Sequence, residues 1–427
     1  MRKGWSIIVL TFMSISAFGG GFQLNTQSVR ALGLGGAFTA WANDPSALFF
    51  NPGAMYQVKG HHFIAGLHYV MPRVSLQTPS TDNINQTTPN ANPIHFYYTG
   101  QLTDKLNVGF AVNNQFGSSS SFADNWEGRY IIQNISLRTF MFQPTVSYKI
   151  HEKLGIGAGF VFTTGAFSTE KAVPVSSADY KYGQAHLEGS GVAFGFNLGL
   201  HSKLIDNEKM VLALGLNYRS KLNVNLPEGK AEFYNIPSSL RYQFPESTTF
   251  SGGLTLPDVA TGGLRFTYHL NDELDITALY DYSYTGWKSY DTLAFDFANP
   301  DTPDSETIKA WKSTGVHRVG LDVTFKERFS FRVGFYADKT PIPDGRVSPE
   351  LPDADQANFT FGLGVQLTEN IGFDVNFLRQ NIEMEGSLDD AGFTAKYHRI
   401  VDVVGFAVNA SFGGGQEEDD ESKAKFE

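Results

Sequence analysis

The residues able to do chemistry are 10 His, 33 Lys plus Arg and 44 Asp plus Glu, and no Cys is available as a nucleophile, redox centre or thiolate ligand. His61, His62 and His68 lie close together and suggest a metal site. Neighbouring positions on a strand point to opposite faces, however, and no acidic partner stands at ligand spacing, so they read better as interfacial polar residues. No Ser/His/Asp arrangement can be singled out, which argues against an enzyme, and neither a metal nor a cofactor is expected. Gly33, Gly35 and Gly36 invite comparison with a dinucleotide loop, but Phe38 stands where a third glycine is needed and no strand precedes them. The run Glu417-Glu418-Asp419-Asp420-Glu421 could attract cations, and a solvated acidic tail accounts for it more simply. Four arginines, Arg219, Arg265, Arg318 and Arg332, are candidates for a carboxylate clamp, provided the elements that carry them turn them inward.

Those elements alternate with a period of two. Between Arg138 and Ile150 one parity carries Phe140, Phe142, Val146, Tyr148 and Ile150, and the other Thr139, Gln143, Thr145, Ser147 and Lys149. The same pattern recurs to Phe412 and predicts fourteen strands, near residues 61–75, 94–102, 106–115, 135–150, 154–167, 186–202, 210–224, 249–269, 273–293, 312–325, 329–340, 357–367, 371–384 and 396–412. Every second connection is a short polar turn, such as Thr103-Asp104-Lys105 or Lys326-Glu327-Arg328, and the connections between them are long. An even strand number with loop lengths segregated by parity predicts an all-β fold, a transmembrane antiparallel β-barrel. Lipid offers no hydrogen-bond partner to a strand edge, so such a sheet must close on itself. The parity rule then turns Arg219, Arg265, Arg318 and Arg332 into the lumen, with Asp275, Asp281, Asp322 and Asp374 there to pair with them. An ion-pair network that fills the barrel is the alternative to a clamp.

Composition agrees with this class. Of the 427 residues 14% are aromatic and only 18% charged, against roughly 25% charged in an ordinary soluble domain. Mean hydropathy is −0.21, as expected when half of each strand faces a lumen. The net charge of −11 leaves no basic stripe for nucleic acid. Arg2, Lys3 and the apolar stretch from Trp5 to Phe18 read as a secretory signal over residues 1–19. Residues 20–58 do not alternate and are apolar enough to fold into the lumen as a plug. Residues 59–412 form the barrel, with both termini in the periplasm, and 413–427 an acidic periplasmic tail.

Several motifs resemble the FadL/TodX type (OmpP1/FadL/TodX), the long-chain fatty-acid and hydrocarbon transporters of Gram-negative outer membranes. Gly21-Phe22-Gln23-Leu24-Asn25 looks like that family's mature N-terminus, and Asn51-Pro52-Gly53 resembles the Asn-Pro-Ala that ends its plug, with Gly53 in place of alanine. Asp124-Asn125-Trp126-Glu127-Gly128-Arg129-Tyr130 matches a Trp-x-Gly-Arg-Tyr element, and Trp287 and Asp338-Lys339-Thr340-Pro341-Ile342-Pro343 are further echoes. The resemblance spans Gly21 to Phe412. It implies passive, plug-gated diffusion of a hydrophobic small molecule. Gly21, Phe22, Leu24, Asn51, Pro52 and Gly53 then belong to the plug and ligand pathway, and an interruption of the third strand at Asn113-Asn114 to a lateral gap. Phe122, Trp126, Arg129 and Tyr130 offer an apolar surface with one cation for outer capture. The partners expected are the substrate, outer-membrane lipids and lipopolysaccharide, and the barrel-assembly machinery, around a monomer. A water-filled general or saccharide porin and a surface adhesin or antigen are the rival readings.

Overall fold

The computed structural model describes residues 20–176 and 179–412. The signal segment 1–19 and the acidic tail 413–427 lie outside the described residues. The β-strands are β1 (His61–Gln77), β2 (Ile84–Asn85), β3 (Ile94–Thr103), β4 (Leu106–Asn113), β5 (Gly117–Ser121), β6 (Asn134–His151), β7 (Leu154–Val173), β8 (Gly183–Asp206), β9 (Met210–Arg219) and β10 (Leu222–Tyr234). They continue as β11 (Ser247–Leu256), β12 (Val259–Asn271), β13 (Leu274–Thr285), β14 (Thr292–Phe297), β15 (Ser305–Ile308), β16 (Thr314–Phe325), β17 (Phe329–Asp338), β18 (Gln356–Thr368), β19 (Ile371–Leu388) and β20 (Phe393–Phe412).

Fourteen of these form one closed antiparallel ring in the order β1-β3-β4-β6-β7-β8-β9-β12-β13-β16-β17-β18-β19-β20. The ring closes where all 17 residues of β1 pair with β20, from His61 opposite Phe412 to Gln77 opposite Lys396. Closure leaves no free edge, the condition a sheet in hydrocarbon must meet. One parity of each strand is apolar and exposed: Phe160, Phe194 and Leu363 are all more than 50% accessible. Large side chains so exposed around a whole ring are stable only against lipid. The other parity is buried and polar, and carries Arg219, Arg318 and Arg332, with Asp281, Asp322 and Asp374, inward.

Three expected strands are shorter than the alternation suggests. The strand expected at 210–224 ends at Arg219, and that expected at 249–269 divides at Pro257 into β11 and β12. The strand expected at 273–293 stops at Thr285 before a 3-10 turn, Trp287–Ser289. The extra pieces build a sheet beyond the ring: β10 pairs with the far part of β8 and with β11, β11 with β14, and β14 with β15. Alternation ran on because this extension is itself two-faced, burying Leu222, Val224, Leu226 and Phe233 on one side. Pro257, which has no N–H to give the ladder, marks the break.

The N-terminal segment lies within the ring. It contains helix α1 (Val29–Gly33), helix α2 (Ala47–Phe50) and a 3-10 helix, Pro52–Gln57. Ser28 caps α1 by accepting a hydrogen bond from the Ala31 N–H at 3.2 Å. Val29, Leu32, Leu34, Phe38 and Leu48 are almost wholly buried. Irregular backbone away from water must still be hydrogen-bonded, and the polar lumen parity supplies the partners. Asp281 Oδ2 accepts from the Phe38 and Thr39 N–H groups at 3.0 and 2.9 Å. Asn197 donates to the Leu48 carbonyl at 3.0 Å, Asn107 to the Val58 carbonyl at 2.7 Å, and Tyr97 to the Gln27 carbonyl at 2.8 Å. Gly35, at φ +68°, lets the chain turn flat onto β17, where a side chain would meet the Phe335 backbone.

Candidate ligand cavity and wall opening

The wall is interrupted where β4 ends at Asn113 and β5 resumes at Gly117, both paired to β6. Asn114 fastens the break: its Oδ1 accepts from the Ile94 N–H at 2.9 Å and its Nδ2 donates to the Thr139 carbonyl at 2.6 Å. On the other bank β1 and β3 pair only as far as Leu67 opposite Ile94. Beyond that point β1 meets the connecting loop through Val70 opposite Ala91 and through β2. The N-terminal segment reaches this break. Leu24 N–H donates to the Gln115 carbonyl at 2.8 Å and Gly117 N–H to the Phe22 carbonyl at 3.1 Å, a short ladder that borrows the interrupted strand. The sequence motif at Asn113-Asn114 and the residues Gly21, Phe22 and Leu24 are therefore brought together.

A cavity of about 540 Å³ occupies this junction. Lumen-facing Val70, Leu378, Val403 and Tyr336 line it, with Leu32 of α1. Asn114, Arg138 and Phe140 also line it, and Phe140 stands on the exposed, apolar parity of β6. The cavity is thus bordered at the interruption by residues of both faces of the wall. Its lumenal residues were missed in the sequence, although a signal existed: Val70, Leu378, Val401 and Val403 are apolar on the parity that is otherwise polar.

Phe22 closes the cavity's inner side within an aromatic cluster. Its ring lies 4.8 Å from Trp287, 5.3 Å from Tyr290 and 5.4 Å from Trp311, edge-on or tilted, the arrangement ring quadrupoles favour. Burial in this cluster pushes the Tyr290 hydroxyl up to about 12, with the Lys309 cation opposing and the Glu350 carboxylate adding to it. Gly21 N–H donates to Asp353 Oδ2 at 3.1 Å, and Thr340 of the Asp338–Pro343 run donates to the same oxygen at 2.9 Å. Burial raises the Asp353 carboxyl above the ordinary aspartate range, although Arg399 and the Gly21 N–H pull against it.

Asn51, Pro52 and Gly53 sit at the far end of the segment against β7 and β8. Asn51 Nδ2 donates to the carbonyls of Thr39 at 2.9 Å and Leu200 at 3.0 Å, and its Oδ1 accepts from Gly53 N–H at 3.0 Å.

The four lumenal arginines divide. Arg332 is bound to Asp322 at 2.9 Å and to Asp374, an ion-pair network. Arg265 donates to Thr267 at 2.8 Å and lies over the Trp41 ring. Arg219 and Arg318 form no ion pair within 4.0 Å among the described residues and donate to neutral oxygens. Arg219 donates to Gln143 Oε1 at 2.9 Å and Gln115 Oε1 at 3.2 Å, and Arg318 to the Gly35 carbonyl and to Asn25 Oδ1, each at 3.0 Å.

The expected outer-capture surface needs correction. Phe122 and Trp126 are buried, stacked on each other at 4.1 Å, and Trp126 Nε1–H donates to the Ile132 carbonyl at 2.6 Å. An aromatic residue with its polar atom satisfied internally packs the loop and does not present it to solvent. Tyr130 is exposed, and the Arg129 guanidinium lies 4.7 Å from its ring and 5.2 Å from that of Tyr182. His61 stacks on Tyr98 and Phe412, whereas His68 is buried on the opposite face of β1.

A closed ring of fourteen antiparallel strands with an apolar outer belt and a polar inner face defines a β-barrel of the bacterial outer membrane. The particular kind follows from comparison: the family model for "Outer membrane protein transport protein (OMPP1/FadL/TodX)" matches residues 10–412, and the chain belongs to that family. It is 22% identical over 418 residues to the long-chain fatty acid transport protein of Escherichia coli K12, covering 86% of this chain and 89% of that one. The Salmonella typhi protein of the same description is 24% identical over 403 residues, with the same coverage. Among solved structures, a Pseudomonas aeruginosa FadL homologue aligns with a TM-score of 0.78 at 18% identity, covering 92% of this chain and all of that one. The Pseudomonas putida toluene transporter TodX aligns at 0.70 and 16% identity, covering 94% and 100%.

Proposed function

We propose that the protein carries hydrophobic small molecules, long-chain fatty acids or hydrocarbons, across the outer membrane by passive diffusion through the side of its barrel. The observation that carries this reading is the 540 Å³ cavity, whose lining changes from lumen-facing Val70 and Leu378 to lipid-facing Phe140 across the break at Asn114. Its volume lies in the range of small-molecule sites, roughly 300–1,000 Å³. Removing apolar surface from water drives entry, at roughly 25 cal/mol per Å², and the same apolar environment continues into the membrane, so exit is not penalised. Relatives described as transporters of long-chain fatty acid and of toluene support the substrate class.

In this reading residues 20–58 are a plug, 59–412 the barrel and 1–19 a signal removed on export, with the short turns, both termini and the tail 413–427 in the periplasm. Burial of the segment's Leu, Phe and Ala side chains against a closed wall supports a plug over an open porin. Movement of Phe22 and Leu24 away from the break gates the passage, and Arg129 with Tyr130 remains as the outer contact.

Gly117 tests the route. It lines the cavity, and a Cβ there would make only ordinary contacts, 3.4 Å to the Leu137 carbonyl and 3.5 Å to Leu24. Gly117→Phe should leave a folded, heat-modifiable barrel and lower uptake of radiolabelled hexadecanoate several-fold in cells that depend on this protein. Undiminished uptake in that variant defeats the lateral route.

A further inference from the structure

On three adjacent strands of the ring, β19, β20 and β1, the outward parity changes from apolar to charged at one level. On β20 the outward residues Phe412, Val408, Phe406 and Val404 give way to Asp402. On β19 Phe373, Val375 and Phe377 give way to Arg379, and on β1 Leu67, Tyr69 and Met71 to Arg73. From Phe412 to Val404 is about nine residues, close to the roughly 9–11 that carry a tilted strand across hydrocarbon. The charged row therefore stands at the head-group level, on the side of the long loops.

Register brings the three together. Asp402 lies opposite Arg379 on one side and Met71 on the other, and Arg73 reaches it from one step further along β1. Arg379 donates to Asp402 through Nε at 2.6 Å and a terminal nitrogen at 3.0 Å, and Arg73 donates to Asp402 Oδ2 at 2.5 Å. The Asp402 side chain is only 10% accessible, whereas those of Arg73 and Arg379 are 61% and 58% accessible. Among the described residues neither guanidinium makes another hydrogen bond, so one carboxylate holds two arginine forks and leaves N–H donors of both exposed. Two cations and one anion give the row one positive charge in excess. Acids do stand further out: Glu383 lies 3.8 Å from His398, Glu385 is opposite Lys396, and Asp82 accepts from Gln77. Glu383 is four residues beyond Arg379 and Gln77 four beyond Arg73, about 13 Å along a strand, more than a Debye length of about 8 Å at physiological salt. They therefore do not neutralise the row. Exposed ion pairs contribute little to stability, so folding alone does not account for two arginines on one carboxylate at this level.

We propose that Arg73 and Arg379 form a binding site for a phosphate of lipopolysaccharide, the phosphorylated glycolipid of the outer leaflet. Guanidinium forks match phosphate oxygens in geometry as well as charge, and Asp402 holds the two forks side by side. The acyl chains of the same lipid lie on Phe377, Phe406 and Met71, directly below the row, so one amphiphile meets the cations and the apolar belt together. The site rests on the proposed orientation, with the long loops outside, and not on what crosses the barrel.

The test titrates the purified full-length protein, in a non-ionic detergent, with bis-phosphorylated lipid A and with the same lipid stripped of phosphate. The wild type should bind the phosphorylated form about tenfold more tightly or better. Arg73→Gln, Arg379→Gln and Asp402→Asn together leave no charge of the row unpaired, and this variant should bind both forms alike with unchanged heat-modifiable migration. Arg73→Gln alone, at an exposed position, should lie between the two. Inorganic phosphate at the same concentration should not displace the lipid, because it brings no acyl chain. A wild type without preference, a preference that survives in the triple variant, or displacement by inorganic phosphate overturns the assignment. Orientation is read separately on intact cells: Ala391→Cys, exposed in the turn between β19 and β20 of a chain with no other Cys, should react with a membrane-impermeant maleimide. Failure to react overturns the orientation and with it the outer-leaflet site, whereas reaction without any phosphate preference overturns the site alone.

Discussion

Gly53 shows how closely the N-terminal segment is fitted to its wall. A Cβ there would run into the carbonyl carbon and oxygen of Gly199 and the Cα of Leu200, and one on Gly157 would strike Pro52. Backbone meets backbone, so the glycine that stands in place of the related motif's alanine is required by contact. Gly53→Ala should cost about 1–3 kcal/mol of the segment's attachment, the usual penalty for overfilling a packed site. Asn51, fully buried, satisfies three backbone groups at once. Asn51→Ala leaves the Thr39 and Leu200 carbonyls and the Gly53 N–H without that partner, for a loss of about 2 kcal/mol or more. Hydrogen exchange of the amides over 47–58 should then speed up by roughly 30-fold, with the barrel amides unchanged. Unaltered exchange would show that Asn51 is not what holds this end of the segment.

Among the connecting elements, the loop carrying Trp126 is tied to the loop after β1 by one carboxylate. Glu127 Oε2 accepts from Ser80 Oγ at 2.6 Å and Thr81 Oγ1 at 3.0 Å. Burial is the largest single influence and raises this group, but the hydroxyls of Ser80, Thr78 and Thr81 together outweigh it and hold the carboxyl below the ordinary 4.5. A depressed carboxyl stabilises the fold above its unfolded value and loses that contribution as pH falls through the folded one. Protection of the amides over 78–83 should therefore decline below pH 4.5, and Glu127→Ala should lack that dependence. The same decline in the variant would assign the effect to other groups. Loops show no period, which is why the burial of Phe122 and Trp126 was not legible in the sequence although their residue types were. The strands were legible wherever one face met lipid. They were misjudged at 220–221, 257 and 286–293, where the chain leaves the ring for an extension that keeps the alternation of the ring itself. The break at Asn113-Asn114 could be read locally, but the pairing of residues 22–24 with 115–117 could not, because it joins segments about ninety residues apart. Parity alone put Arg219 and Arg318 inside; that neither forms an ion pair among the described residues is a property of their neighbours on other strands.

For the whole molecule, ring and contents have separate sources of stability. The ring is held by continuous ladders that close through β1 and β20, whereas the segment is held by lumenal side chains such as Asp281, Asn197 and Asn107 bonding to its backbone. Removing residues 26–57 deprives Asp281 and Asn197 of these partners while Asn107 keeps the Val58 carbonyl, and the vacated lumen fills with water, which satisfies the freed side chains instead. Closure does not depend on what the lumen holds, so the shortened barrel should still insert and retain heat-modifiable migration. Its first described residues, Gly20 to Asn25, would remain to pair with the break at 115–117. On the proposed plug reading, with buried apolar residues such as Leu34, Phe38 and Leu48 across the water path, the intact protein should pass little steady current in a planar bilayer. The shortened form should conduct several-fold more, and with a preference set by the newly wetted Arg219, Arg318 and Asp281. A large steady conductance in the intact protein, unchanged by the deletion, would mean that water already crosses the lumen. The passive passage of hydrophobes would then give way to a porin.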